Sequence, residues 1–350
     1  MVIAHSKPTI GPDDIKAVSE VVASGQITQG KLVEKFEKSL ADYVGTRGGV
    51  ALNSGTAALH LALLSLGIKE KDEVILPTYV CIAPFLAVRY TGATVKLCDI
   101  NSTDFNISLK DVKRLITKKT KAIIVPHMFG MPADIESLLK TGLPVIEDCA
   151  HSIGATYRGK RVGGFGTVSI FSFYATKMLA CGEGGMVCSN SLSILKKIRN
   201  LREYDEKNQM ANYFNYKMSD LQAALGLSQL SRLAFFIKRR RELAHEFNES
   251  FSECGNIELP VQDKERNSVF YRYIIKNAKA NMAIRELKEI GVICRRPVYK
   301  PLHRYFKKRG FPVSENVYKT ALSIPLYPSL KKEEVQLIKK SIRKYFSHVY

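Results

Sequence analysis

The sequence predicts an α/β fold with a mostly parallel central β-sheet flanked by helices and a smaller α+β domain towards the C-terminus. Two observations support this prediction. Short apolar runs typical of buried strands alternate with helical patterns through the first two thirds of the chain, as expected for a parallel sheet covered on both faces. Beyond about residue 240 the pattern changes to one strand with alternating exposure and two amphipathic helices. We therefore expect a large domain at residues 1–239 and a small domain at residues 240–350.

The elements follow in order along the chain. Apolar residues spaced by three and four predict a helix before the first strand, and they are Val33, Phe36, Leu40 and Tyr43. Strands are predicted at 73–76, 94–98, 122–125, 144–146, 167–171 and 185–188. Helical patterns lie between them at 56–66, 83–90, 109–116 and 133–139. A long helical stretch from 218 to about 247 leads to a strand at 268–275 and helices at 280–290 and 331–346.

The composition is that of a globular protein, since 45% of residues are hydrophobic and 25% are charged. No apolar run approaches the length of a membrane span, and the first seven residues lack the apolar stretch of a signal peptide. The seven cysteines form no CxxC pair, so neither a zinc site nor a thioredoxin-like site is predicted. Cys98, Cys149 and Cys188 lie in apolar, strand-like context; we expect buried thiols there, which favours a reducing cytoplasm.

Three features suggest a site for one cofactor. Lys177 follows an apolar run and precedes the glycine-rich segment 182–185, and a lysine held there can form an imine with an aldehyde if burial lowers its pKa. Asp148 ends another apolar strand, at the edge where open α/β sheets bind ligands. Residues 55–57 open a helix whose free N–H groups favour a phosphate. Pyridoxal 5'-phosphate (PLP) needs these three features from a protein.

Five segments, in this order, resemble the DegT/DnrJ/EryC1/StrS aminotransferases, which are sugar aminotransferases of fold type I. The segments are 53–59, 147–151, 171–177, 182–185 and 215–224, and the resemblance extends from about Gly25 to about His303. It implies a PLP-dependent transaminase that converts a keto group of a nucleotide-linked deoxysugar to an amino group, with glutamate as the expected donor. Such a reaction belongs to the biosynthesis of cell-surface glycans or secondary-metabolite sugars.

Two alternatives remain open. Related sugar dehydratases share the fold but have histidine in place of the imine lysine, so Lys177 argues against that activity. A non-catalytic regulator that binds cofactor or sugar is the other alternative. The complete set of Thr56, Asp148, Ser172 and Lys177 argues against a regulator.

The resemblance assigns roles to the residues around the cofactor. Lys177 would form the Schiff base and then transfer the proton, and Asp148 would keep the pyridine nitrogen protonated. His151 would lie near the ring, and Ser172 would bind the phosphate. The helix start contributes Gly55, Thr56 and Ala57 to the same phosphate site. At the position where the family often has an aromatic residue against the ring, this chain has Cys81, and the sequence leaves open whether Cys81 or Tyr79 makes that contact.

Other roles concern the partner and the substrate. Asn215 resembles the family residue that reaches the phosphate in the partner subunit, which implies a homodimer with shared active sites; Lys217 replaces the usual arginine nearby. Thr28, Tyr299 and His303 fall in segments that resemble the substrate entrance. His127 and Glu147 are interpreted as structural, and no metal ligand set is predicted.

The net charge of +20 allows three interpretations. Nucleic-acid binding is disfavoured because the basic residues are dispersed and no recognition motif accompanies them. An anionic substrate such as a nucleotide sugar would be attracted by this charge. The third interpretation is solubility, or a loose attraction to an anionic membrane surface.

Overall fold

The structure is a computed structural model that describes residues 2–205 and 207–347. The strands are β1 (Gly48–Leu52), β2 (Glu73–Pro77), β3 (Thr94–Cys98), β4 (Thr120–Pro126), β5 (Val145–Asp148), β6 (Thr156–Tyr157), β7 (Lys160–Arg161), β8 (Val168–Ser172), β9 (Gly185–Ser189), β10 (Arg266–Asn267), β11 (Tyr273–Lys276) and β12 (Ala321–Ile324). The helices are α1 (Pro12–Ser24), α2 (Lys31–Val44), α3 (Gly55–Ser65), α4 (Ala83–Tyr90), α5 (Leu109–Leu115), α6 (Ile135–Leu139), α7 (Leu192–Leu201), α8 (Asp220–Ser231), α9 (Leu233–Phe251), α10 (Ala280–Glu289), α11 (Leu302–Tyr305), α12 (Pro312–Thr320) and α13 (Lys332–Ser347).

The central sheet has seven strands in the order β1-β9-β8-β5-β4-β2-β3. Strands β8, β5, β4, β2 and β3 run parallel to one another. At one edge of the sheet β9 pairs antiparallel with β8, and β1 pairs antiparallel with β9. The mostly parallel sheet predicted from the sequence is therefore confirmed. Its central strands are apolar and almost wholly buried, because helices cover both faces. The carboxyl ends of β5 and β8 are neighbours, so Asp148 and Ser172 lie at the same edge of the sheet.

Two hydrophobic clusters pack on the two faces of this sheet. Because successive strand residues point to opposite faces, Ile123 and Val125 belong to one cluster and Ile124 to the other. Helix α2 packs on the first face, with Phe36 and Leu40 in its cluster, and α3 packs on the second. Strand β1 is not evident in the sequence because it begins with two glycines, which have low strand propensity.

A third hydrophobic cluster joins α9, α10, α13, β11 and β12. The predicted helical stretch 218–247 is divided into α8 and α9 at Arg232. The predicted strand 268–275 is shorter than expected, because Phe270 has a φ of 47°, which an extended strand does not allow. The proposed domain boundary after residue 239 falls within α9, and the division into domains stays a prediction.

The structure also bears on the cysteines and on membrane-spanning helices. Cys98, Cys149 and Cys188 are buried thiols, as predicted. Among the described residues, no helix combines the length and the apolar character that crossing a bilayer requires.

Candidate active site

A cavity of about 1390 Å³ opens at the carboxyl ends of β5 and β8 and at the N-terminus of α3. Its floor brings together the side chains of Asp148, Ser172 and Lys177, the start of α3, and the ring of His151. These residues come from three segments that are distant in sequence, 54–56, 148–151 and 172–177, so the fold alone assembles them. The floor is where the sequence predicted a ligand.

The N-terminus of α3 reaches Ser172 because Gly55 has no side chain. A Cβ at Gly55 would lie 2.8 Å from the Cβ of Ser172, and a Cβ at Gly185 would lie 2.3 Å from the carbonyl oxygen of Ser54. The hydroxyl of Ser54 accepts a hydrogen bond from the N–H of Ala57 at 3.1 Å. The N–H of Ala57 is therefore already hydrogen-bonded. The first N–H groups of a helix have no partner within the helix. The N–H groups of Gly55 and Thr56, which line the cavity, can therefore bind an anion beside Ser172.

The carboxyl group of Asp148 is buried beside the cavity and is not neutralised by a nearby cation in the part of the chain that the structure describes. Only 8% of the residue is exposed, and Oδ1 accepts one hydrogen bond, from the N–H of Ala150 at 3.0 Å. Burial raises the pKa of Asp148, and the hydrogen bond from Ala150 and the charge of Lys177 oppose that rise. Among the described residues it has no ion-pair partner within 4.0 Å. A protonated ring nitrogen in the cavity would supply the missing positive charge.

Three stacked rings form one side of the floor. The ring of His151 lies 4.3 Å from that of Tyr271 and 5.8 Å from that of Phe129, with interplanar angles of 17° and 14°. Phe129 and Phe270 both adopt positive φ, and the N–H of Val269 donates to the carbonyl of Gly130, so two strained turns meet behind the stack. Burial, followed by the charges of Lys177 and Arg272, lowers the pKa of His151 well below its ordinary value. The imidazole therefore presents a flat, neutral ring.

Tyr271 is a candidate that sequence reasoning missed. The Nζ atom of Lys177 lies 5.2 Å from its ring centroid, and its hydroxyl is 3.4 Å from Oγ1 of Thr176. Burial disfavours its ionisation, but the charges of Lys177 and Arg272 and the contact with Thr176 outweigh burial and lower the pKa of Tyr271 to about 8. In the sequence, Tyr271 is one aromatic residue in a segment whose pattern predicts a strand, and that pattern does not indicate a site residue.

The structure places the two candidates for the contact with the cofactor ring differently. Cys81 lines the cavity, whereas Tyr79 is fully buried in the hydrophobic cluster that contains Ala58 and Leu61. The cavity wall at this position is therefore the thiol of Cys81. A thiol fills less space than the aromatic side chain that the resemblance suggested.

The expected substrate residues are divided between cavity and interior. Tyr299 lines the cavity and is 85% exposed. His303 is 2% exposed, and its ring nitrogens are hydrogen-bonded to Thr78 at 2.9 Å and to Glu315 at 2.6 Å. The structure does not bring His303 to the cavity, and substrate contact there has no geometric support. Its contacts instead tie α11 to the end of β2.

Thr28 and Asn215 lie outside the cavity of their own chain. The carbonyl of Thr28 accepts a hydrogen bond from the N–H of Asp220 at 2.9 Å. The carbonyl of Asn215 accepts one from Nδ2 of Asn53 at 3.2 Å, and Lys217 pairs with Asp205. Asn215 is exposed, so its expected role requires a second chain and stays a prediction.

His127, Glu147 and Cys149 are close enough together to hold a metal ion. The N–H of Ala133 donates to Nδ1 of His127, so the proton of the neutral ring is on Nε2, which donates to Glu147 at 3.1 Å. Glu147 also accepts three backbone N–H bonds, from residues 163, 165 and 166. Burial opposes its ionisation, but these bonds prevail and lower the pKa of Glu147. The lone pairs with which His127 and Glu147 would bind a metal are already used in these hydrogen bonds, which favours a structural interpretation of the pair.

Known proteins are similar to this chain along nearly its whole length. The sequence pattern of the DegT/DnrJ/EryC1/StrS aminotransferase family matches residues 8–343. GDP-perosamine synthase of Escherichia coli O157:H7 is 34% identical over 360 residues, covering 97% of this chain and 98% of the synthase. Helicobacter pylori PseC, an aminotransferase involved in the biosynthesis of pseudoaminic acid, is 28% identical with a TM-score of 0.93, and all of both chains is covered. The PLP-form of Spr1654 from Streptococcus pneumoniae is 26% identical with a TM-score of 0.94, again over all of both chains.

Proposed function

The chain belongs to the DegT/DnrJ/EryC1/StrS aminotransferase family, and from that premise we propose that it converts a keto group of a nucleotide-linked deoxysugar to an amino group. PLP is the cofactor and glutamate the donor. The observation that carries the proposal is the convergence of Lys177, Asp148 and the α3 N-terminus with Ser172 in one cavity. The names of the E. coli synthase and of PseC support an activated sugar as the substrate class.

The residues present fit PLP on chemical grounds. A phosphate matches the open N–H groups of α3 and the hydroxyl of Ser172, which lie next to each other because Gly55 has no side chain. A pyridine nitrogen carrying a proton matches the buried, unpaired carboxyl of Asp148. His151 contributes a flat neutral ring, and Lys177 contributes a primary amine.

When bound, PLP supplies an aldehyde that captures amines and a ring that withdraws electrons from the neighbouring carbon. The chain supplies the proton transfers and the charge. In the first half-reaction Lys177 would take up at Nζ the proton that the donor's α-carbon loses and deliver it to the carbon on the other side of the transferred nitrogen; in the second half-reaction it would move a proton in the reverse direction, onto the sugar carbon. Asp148 keeps a negative charge beside the ring nitrogen. The ring of Tyr271 lies 5.2 Å from the amine of Lys177, and the positive charge of that amine favours the ionised phenol.

A panel of nucleotide-linked 3-keto and 4-keto deoxysugars tests the proposal. With glutamate present, we expect the protein to form an amino sugar and 2-oxoglutarate from at least one member of the panel, as read by mass spectrometry. Loss of water from the sugar without amine transfer would support the dehydratase alternative. No change in any sugar, together with no spectral response to glutamate, would leave the regulator as the better interpretation.

Tyr271→Phe tests the tuned phenol directly. In cofactor-free protein, the absorbance difference between wild type and variant should show one phenol that ionises near pH 8, because Lys177 and Arg272 favour its anion. Since the folded-state pKa is below the ordinary value of 10.0, wild-type stability should rise relative to the variant between pH 8 and 10, by up to about 1.4 kcal/mol per pH unit. In Lys177→Ala the same phenol should ionise at higher pH. A titration that does not respond to Lys177→Ala would contradict this assignment.

A homodimer with shared sites is the second part of the proposal. The carbonyl of Asn215 is hydrogen-bonded to Asn53, directly before the N-terminus of α3, and Asn215 is exposed without lining the cavity of its own chain. Ile82 and Tyr174 line the cavity and are nevertheless largely exposed, which suits a surface that a second chain covers. A symmetric dimer presents the same residues twice, so each chain can complete its partner's phosphate site.

Mixed dimers test this arrangement. Lys177→Ala and Asn215→Asp should each be inactive, the second because a carboxylate would repel the phosphate. When equal amounts are coexpressed, half of the dimers are mixed and one site in each carries neither change, so about a quarter of wild-type activity should return. Combining the purified variants without exchange of subunits is the control. Continued inactivity in demonstrated mixed dimers, or an active monomer in sedimentation, would rule out shared sites.

We also propose a cytoplasmic location. The buried thiols of Cys98, Cys149 and Cys188 support a reducing compartment. Fractionation of the source cells tests this directly, and recovery of the activity outside the cytoplasmic fraction would contradict it.

A further inference from the structure

The wall of the cavity is strongly basic. Of the described residues that line it, seven are cationic and two, Asp148 and Glu183, are carboxylates. The cationic residues are Lys177, Arg272, Arg285, Lys288, Arg295, Arg296 and Lys300. Lys177 belongs to the floor, and the other six surround it and extend to the mouth. This concentration of charge exceeds what the floor chemistry needs.

Three of these cations lie exposed and without a carboxylate partner. We call Arg285, Lys288 and Arg295 the basic wall; among the described residues, none of them has an ion-pair partner within 4.0 Å. Other arginines of this part of the chain are paired: Arg266 with two aspartates and Arg304 with Glu315. The basic wall therefore presents positive charge to the cavity that the protein itself does not neutralise.

The backbone that carries the basic wall is held in place by packing and by hydrogen bonds. Arg285 and Lys288 are three residues apart on α10, which places them on one face of the helix. The opposite face is buried through Ala283 and Leu287. The backbone of Arg295 exchanges two hydrogen bonds with Ser323, at 3.0 and 2.8 Å. A fixed backbone reduces the entropy lost when these side chains bind an anion.

The position of the basic wall indicates which anion it binds. In an α-amino acid donor, the carboxylate is attached to the carbon that carries the reacting amine, so it must bind close to Lys177. Arg272, which lies over the ring of Tyr271 at 5.1 Å, is close enough to Lys177 for that task. The exposed basic wall suits an anionic group separated from the reacting carbon by a sugar ring, and the diphosphate of a nucleotide sugar is such a group.

We propose that Arg285, Lys288 and Arg295 bind the diphosphate of the nucleotide sugar while its keto carbon reaches Lys177. The inference rests on the proposed function and assigns the diphosphate site to the same chain that supplies the lysine. Arg296 stands behind the basic wall, with its guanidinium hydrogen-bonded to Asn281 at 2.6 Å and stacked on Tyr318 at 4.2 Å. It reinforces the positive field from a fixed position.

The test compares two double charge reversals that change the net charge equally. Arg285→Glu/Lys288→Glu alters the basic wall, and Lys332→Glu/Lys340→Glu alters exposed lysines of α13 that do not line the cavity. Calorimetry on the holoenzyme measures the Kd of UDP and of GDP, with inorganic pyrophosphate as a competitor. The Kd of the better nucleotide should rise about thirtyfold or more in the wall variant, because two charged contacts are lost and reversed, and less than about threefold in the control.

A conservative swap and kinetics complete the test. Arg285→Lys/Lys288→Arg keeps the charges and should restore most of the affinity, and the visible absorbance per chain shows that each variant is folded and loaded. With a turned-over sugar, the wall variant should raise KM far more than it lowers kcat. Equal weakening in the α13 control would overturn the inference, because overall charge would then explain binding. Normal turnover with an unchanged KM in the wall variant would overturn it while the proposed function stands. A wild type that binds neither nucleotide and aminates no sugar would refute both.

Discussion

Lys177→Ala should abolish transamination and the visible absorbance of lysine-bound PLP while leaving the fold intact. The reason for the intact fold is that Nζ of Lys177 contacts the ring of Tyr271 and forms no ion pair with the described residues. Turnover should fall by about a thousandfold or more, since the same amine would hold the cofactor and move the proton. Absorbance, turnover and thermal unfolding measure the three consequences separately.

An exposed lysine outside the cavity gives the control. Lys160→Ala removes an amine from β7, outside the cavity, and should keep both absorbance and turnover. In the wild type, borohydride should fix the cofactor to the peptide that contains Lys177, as seen by mass spectrometry. Transamination near the wild-type rate in Lys177→Ala would refute the central assignment.

Asp148→Asn should lower turnover by about a hundredfold or more, because roughly 3 kcal/mol of preorganised electrostatic stabilisation would be lost. The same substitution should not lower the stability of the cofactor-free protein, and it can raise it. Burial raises the pKa of Asp148, so ionisation at neutral pH opposes folding of the cofactor-free protein. That contribution to stability is present at low pH and is lost as the pH rises past the ordinary pKa. Asparagine removes the charge and can still accept the N–H of Ala150, so Tm without cofactor should stay equal or increase.

The neighbouring carboxylate is the matched control. Glu147→Gln replaces one carboxylate oxygen by an amide NH2 that cannot accept hydrogen bonds, so two of the four buried donors around it lose their partner and the protein should be destabilised by about 3 kcal/mol or more. Any loss of turnover should follow the loss of folded protein. If Asp148→Asn also lowers Tm by several degrees and leaves turnover within fivefold, Asp148 is a turn former and the assignment is wrong.

Sequence reasoning was most successful where the signal is local. The apolar strands ending at Asp148 and before Lys177 predicted the parallel sheet, and the helix start at Gly55 is a local pattern. The stack of His151 and Tyr271 could not be foreseen, because it depends on two turns more than a hundred residues apart in the chain. His303 shows the same limit: the sequence gives a polar residue near an entrance segment, but its burial depends on pairing with Glu315 and Thr78.

The floor and the basic wall rest on different hydrophobic clusters. The strands that carry Asp148 and Ser172 are packed in the two clusters of the central sheet, whereas α10 belongs to the third cluster through Ala283 and Leu287. Mutations in separate clusters that share no contacts tend to have additive effects. Affinity for the diphosphate can therefore be altered through changes around α10 with little effect on the residues that carry out amine transfer. The same separation makes α10 and the segment up to Arg295 the natural region for a mutant library selected for tighter or weaker binding of the nucleotide diphosphate.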